Sequence, residues 1–202
     1  MEFCAGALAL GCYGQFGLTL FAAKWLLFSA MMLVLIFTDW HERLLPNRVN
    51  YFGLAAGLAL AAPTPPGDGL ARWLLNDWLA LHASPWLIRV SDAALGAILA
   101  GGLLWLFAEG YFRLRGREGM GLGDVKMMAM AGAFLGARQA ILMLLLGSIL
   151  GSVAGAIAVW GLGKGRDYEL PFGSFLGIAG IALIFVGGPL LHWYLAAAGF
   201  HR

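Results

Sequence analysis

QAILMLLLGSILGSVAGAIAVWGLG, from Gln139 to Gly163, runs for 25 residues without a formal charge. The hydrocarbon core of a bilayer takes about 20 apolar residues as a helix, so this stretch is long enough to cross one. Working outward, further uncharged runs cover Phe3–Ala23, Trp25–Thr38, Val49–Gly67, Ala93–Ala108, Met127–Ala137 and Leu170–Leu191. The whole chain of 202 residues is 61% hydrophobic and 12% charged, against about 45–50% and about 25% in an ordinary soluble domain. Mean hydropathy is +0.81. Backbone groups left unpaired in lipid are costly, which restricts spanning segments to helices and closed barrels. A barrel needs ten-residue segments of alternating polarity, and these runs do not alternate. The expected fold is therefore all-α: a polytopic transmembrane bundle of six to seven helices, forming one membrane-embedded domain over residues 1–202 in contact with membrane lipid.

Charge and cysteine usage narrow the function classes. With 13 Lys and Arg against 11 Asp and Glu, net charge is +2. No basic patch of the kind that binds nucleic acid stands out, so no nucleic-acid partner is expected. Cys4 and Cys12 lie eight apart in an apolar stretch and match no zinc or CxxC spacing. No HExxH or Ser-His-Asp pattern is present either. Neither a metal nor a cofactor is expected. The opening MEFCAGALAL has no positively charged region ahead of a small-residue cleavage site, and reads as a first membrane helix rather than a removed signal peptide. The connection from about 68 to 92 opens with Gly and Pro. Leu70, Trp73, Leu74, Trp78 and Leu81 then recur at helical spacing, as in an interfacial helix on the outer surface.

Two of the apolar runs are short and end beside an aspartate. Trp25–Thr38 spans only about 21 Å as a helix and is followed by Asp39; Asp124 precedes Met127–Ala137. Ionisable groups at membrane depth are costly and mark functional positions. For a single aspartate, a solvated helix end is the plainer reading. The setting of Asp124 argues against it: Gly119, Gly121 and Gly123 precede it at alternate positions, giving a backbone surface that an extended peptide can approach closely. Two helices separate Asp39 from Asp124, which puts both at one membrane face. That face also carries Arg43, Arg48, Arg113, Arg115, Arg117, Lys126, Lys164 and Arg166, against Lys24, Arg72, Arg89, Arg138 and Arg202 on the other. By the positive-inside rule the first face is cytoplasmic.

The stretch GMGLGDVKMMAMAGAFLG (119–136) resembles the GxGD region of type IV prepilin peptidases. DWHERLLPN (39–47) resembles their other aspartate region, with Pro46 and Asn47 as its Pro-Asn pair, and LPFGSFLG (170–177) is similar to a third family stretch. Ser174 departs from that pattern, standing where proline is common. The resemblance implies an aspartic endopeptidase of the inner membrane, with Asp39 and Asp124 as catalytic carboxylates at the cytoplasmic face. Its substrates would be prepilin or pseudopilin precursors with a basic leader and an N-terminal hydrophobic helix. Gly121, Gly123, Glu118 and Glu42 become substrate-contact candidates, the two glutamates facing the basic leader. Pro46, Asn47, Lys126, Pro171, Phe172 and Gly173 become supporting residues. The N-terminal methyltransferase domain that many family members carry is absent from the expected organisation. A different class remains open, a small transporter whose membrane aspartates carry protons or cations, although no inverted repeat is visible.

Hydrolysis by two carboxylates requires that they share one proton. The helix dipole offers an assignment. Asp39 stands at the C-terminal end of its apolar run, where negative charge is disfavoured, and Asp124 at an N-terminal end, where it is favoured. On that reasoning Asp124 is the initial base and Asp39 the initial acid.

Overall fold

The structure, a computed structural model, describes residues 2–64, 70–78, 84–116, 120–161 and 170–197. Among these residues it is a helical bundle without strands: α1 Glu2–Phe16, α2 Leu20–Glu42, α3 Asn47–Ala61, α4 Leu70–Arg72, α5 Pro85–Arg115, α6 Leu122–Leu135, α7 Ala137–Ala156 and α8 Phe172–Ala197. A π-helical turn extends α4 over Trp73–Trp78 and another extends α7 over Ile157–Gly161. Four segments are long and apolar enough to cross a membrane: Leu20–Glu42, Pro85–Arg115, Ala137–Gly161 and Phe172–Leu190.

Several boundaries differ from those the charges imply. Phe3–Ala23 is not one helix. Gly17 takes a positive φ of 65° and ends α1, and the Thr19 hydroxyl oxygen accepts from the Ala22 N–H at 3.1 Å to start α2. Lys24, expected in a loop, lies inside α2; it is 6% exposed, with its ammonium 5.1 Å from the Trp25 ring centre. The 68–92 connection is shorter than expected, because residues 85–92 form the first turns of α5. There Asp92 is buried and its Oδ1 accepts from the Ala71 N–H at 2.7 Å, while Arg89 donates to the Ala62 carbonyl at 3.1 Å. Each of these charges serves a backbone group or ring inside the protein, which is why none of them breaks a helix. Leu81 lies outside the described residues.

The helix α6 is the hub. It packs most extensively on α5 and α3, and also touches α7 and α8. Met127, Met128, Met130 and Ala131 are fully buried, so α6 beyond its first turn is sheathed in protein. A segment of 14 residues needs no full membrane thickness when its ends meet protein or a wet cavity rather than lipid. At the α5–α6 crossing Gly96 and Gly132 face each other. A Cβ on either would collide with the carbonyl oxygen of the other, so the two backbones touch.

Candidate active site

Asp39 enters the site from the last turn of α2 and Asp124 from the first turn of α6. They are 6% and 8% exposed, and both line a cavity of about 720 Å³. The chain beyond Asp39 turns sharply at Arg43, whose φ of 53° is left-handed and whose N–H returns to the Asp39 carbonyl. Pro46 then caps the start of α3, and Leu45 and Asn47 reach the cavity wall. Gly121 and Gly123 of the GxGD turn line the same cavity, as do Pro171 and Phe172.

Glycine is required at two places here. A Cβ on Gly123 would lie 2.9 Å from the Leu45 Cβ. A Cβ on Gly173 would lie 3.1 Å from each of Asp39 Oδ2, Asp124 Oδ1 and Leu45 Cδ1. Because both carboxylate oxygens lie 3.1 Å from that one point, they are at most about 6 Å apart. A single water or carbonyl oxygen can bridge that gap by hydrogen bonds of ordinary length.

The two acids have unequal surroundings. Asp39 Oδ2 accepts the Ser174 backbone N–H at 2.6 Å and the Ser174 hydroxyl at 2.9 Å. Ser174 is the third residue of α8, so its N–H is one of the amides that a helix leaves without an internal partner. Asp39 thus sits at the C-terminal end of its own helix but against the N-terminal end of another. Asp124 Oδ1 is buried with no hydrogen-bond partner among the described residues. Asp124 stands in the first turn of α6, outside the four helices of membrane-crossing length. Burial pushes its carboxyl up to about 7, the neighbouring Asp39 charge adds to the rise, and a hydrogen bond to the Gly121 backbone opposes it.

Of the residues singled out in the sequence, Asp39, Asp124, Gly121, Gly123, Asn47, Lys126, Pro171 and Phe172 line one cavity, and Gly173 lies beneath its two acids. Lys126 is tied to the rim: it donates to Asn47 Oδ1 at 2.8 Å and lies 5.5 Å from the Tyr51 ring centre. Glu42 is exposed at the end of α2, outside the cavity wall. Glu118 lies outside the described residues. Sequence reasoning missed Leu45 and Ser174 as site residues. Leu45 has no distinguishing chemistry, while Ser174 was visible only as a departure inside the third stretch. Among the described residues no group of His, Cys, Asp and Glu is placed to hold a metal ion.

The model of the type IV leader peptidase family matches residues 26–156 and takes in both aspartates. A prepilin leader peptidase/N-methyltransferase of Legionella pneumophila is 33% identical over 186 residues, 90% of this chain and 56% of that protein. A protein of the same name from Burkholderia pseudomallei is 31% identical over 202 residues, 98% of this chain and 57% of its own length. The counterpart from Xanthomonas campestris is 37% identical over 123 residues, 61% of this chain and 40% of that protein. The chain therefore spans about half the length of the curated relatives it matches. No solved structure matches it at a significant level. With four helices of membrane-crossing length and a family match over most of its sequence, the chain is a multi-pass membrane protein that belongs to the type IV leader peptidase family.

Proposed function

We propose that the protein is an aspartic endopeptidase that removes the basic leader from type IV prepilin or pseudopilin precursors at the cytoplasmic face of the inner membrane. The observation that carries this reading is the convergence of two buried carboxylates, from α2 and α6, on the single glycine position 173. The cytoplasmic assignment is supported by the excess of Lys and Arg on that side of the sequence.

Asp124, desolvated and without a partner on Oδ1, holds the shared proton and donates a hydrogen bond to the scissile carbonyl. Asp39, facing two donors, is the ionised member and takes a proton from the attacking water. As the tetrahedral species collapses, the leaving amine receives a proton and the dyad regains its single-proton state. This reverses the assignment drawn from each aspartate's own helix. That dipole effect is about 0.3–1 kcal/mol at an exposed end, whereas a hydrogen bond to a charged group contributes about 1.5–3 kcal/mol. The larger effect decides. Gly121 and Gly123 offer their backbone to the extended cleavage site, and Glu42 and Glu118 meet the basic leader.

The test is cleavage of a synthetic peptide with a basic leader, a Gly-Phe junction and a hydrophobic helix by the purified protein in detergent. Cleavage at the junction supports the proposal. Proton flux in vesicles with the peptide left intact would replace it by the transporter reading. In the same assay the rate should fall as pH rises through about 7, because the general acid loses its proton there. A rate flat from pH 5 to 9 contradicts a shared proton.

Gly173→Ala offers a sharper check on geometry. The new methyl stands 3.1 Å from both carboxylate oxygens and from Leu45, where a buried side chain has little room to yield. Displacing either acid should lower kcat by about 10–100-fold, the equivalent of about 1–3 kcal/mol of crowding. An equal change in melting temperature and activity would instead indicate simple unfolding.

A further inference from the structure

We propose that Ser174 is a positioning residue that keeps Asp39 ionised as the base and directs proton exchange to its other oxygen. The inference rests on the peptidase reading above but goes beyond it, since it concerns a fully buried residue outside the cavity lining.

Ser174 is fully buried and gives Asp39 two donors at once, N–H at 2.6 Å and hydroxyl at 2.9 Å. Both land on Oδ2. A carboxylate oxygen that already accepts two hydrogen bonds is a poor place for a proton, so Oδ1, to which Ser174 donates nothing, becomes the exchanging atom. Hydrogen bonds to the ionised form favour it, and the N-terminus of α8 adds its dipole in the same sense. The hydroxyl has a second acceptor, the Ile36 carbonyl at 3.1 Å. With one hydrogen and two acceptors, it can point to Asp39 while the carboxylate is charged and turn to Ile36 when the charge is gone. The contact therefore tolerates both states of the catalytic cycle, and no backbone movement is needed between them.

Three other charged side chains line the same cavity. From α6 come Asp124, whose charge would oppose that of Asp39, and Lys126, which is bonded to Asn47. Arg43 lies just past α2 on the cavity wall. His41 is exposed and its Nδ1 lies 2.9 Å from the Phe37 carbonyl. Within the described residues α8 brings no charge to the wall, only the Ser174 donors.

The experiment compares pH–rate profiles of the wild type, Ser174→Ala, Ser174→Pro and Ser174→Thr on the prepilin-like peptide. Ala removes the hydroxyl, Pro removes hydroxyl and N–H together, and Thr retains both. The acidic limb should move to higher pH by about one unit in Ala, a tenfold change in proton binding. It should move further in Pro and stay with the wild type in Thr. A purely structural role predicts a lower plateau with the limb unmoved, and that result overturns the proposal. A second measurement needs no turnover: an infrared titration of the protonated carboxyl band in Asp124→Asn with and without Ser174→Ala, each against Asp39→Asn/Asp124→Asn. An upward shift of the midpoint supports Ser174 even if the protein cuts no prepilin, and an unchanged midpoint rejects it even if cleavage is normal.

Discussion

Asp124→Asn and Asp39→Asn each reduce peptide cleavage by about 10²–10⁴-fold, the range that one positioned acid or base contributes, yet they fail for different reasons. Asparagine at 124 imitates the neutral carboxyl: its amide still donates to the scissile carbonyl but has no proton to release. Substrate should therefore bind with nearly the KM of the wild type while kcat collapses. Because Asp124 is held neutral up to about pH 7, the substituted protein should melt no earlier than the wild type. Asparagine at 39 removes a charge that faces the Ser174 N–H and hydroxyl. One buried donor pair then loses its charged acceptor, so this variant should lose stability as well as kcat. The double variant should be little slower than either single one, since the two groups act as a unit. Cleavage by either single variant at a tenth of the wild-type rate or more rejects the dyad.

The largest stability effect belongs to the α5–α6 crossing. Gly132→Ala drives a methyl into the Gly96 carbonyl, and Gly96→Ala drives one into Gly132. The obstacle is backbone on both sides, so no side chain can rotate away and the helices must separate. Alanine gains roughly 0.8–1 kcal/mol over glycine in helix propensity, but overpacking in a tight core costs about 1–3 kcal/mol and sometimes more. A net loss is expected, read as a lower melting temperature in detergent. The pair of substitutions should cost less than the two losses added together, because either one alone already opens the contact. Gly102→Ala, on the same helix with open space around it, should raise stability slightly and serves as the control.

The parts of this architecture that were legible in the sequence are those written locally. Uncharged length gave the bundle, and the two helices counted between Asp39 and Asp124 put both acids at one face. Helix ends were legible only where a charge was also solvated. Lys24 and Asp92 were read as boundaries and Arg89 as part of a connection, yet all three lie within helices because neighbouring rings and carbonyls, or an amide in the case of Asp92, take the place of water. The proposed charge assignment departs from the sequence-based one for a related reason. A dipole argument made from sequence can use only the helix that carries the residue, whereas the amide that meets Asp39 belongs to α8. Nothing local to residue 39 announces a partner 135 positions away. The burial of α6 was likewise hidden, since a short apolar run such as Met127–Ala137 reads the same whether lipid or protein surrounds it.

That separation also sets the order in which the molecule comes alive during synthesis. A ribosome delivers Asp39 early and Asp124 later, but the amide that meets the first acid arrives only with α8. Until α8 inserts and seats, Asp39 lacks the donors on which the proposed base depends. On that proposal, proteolytic competence is tied to the seating of α8.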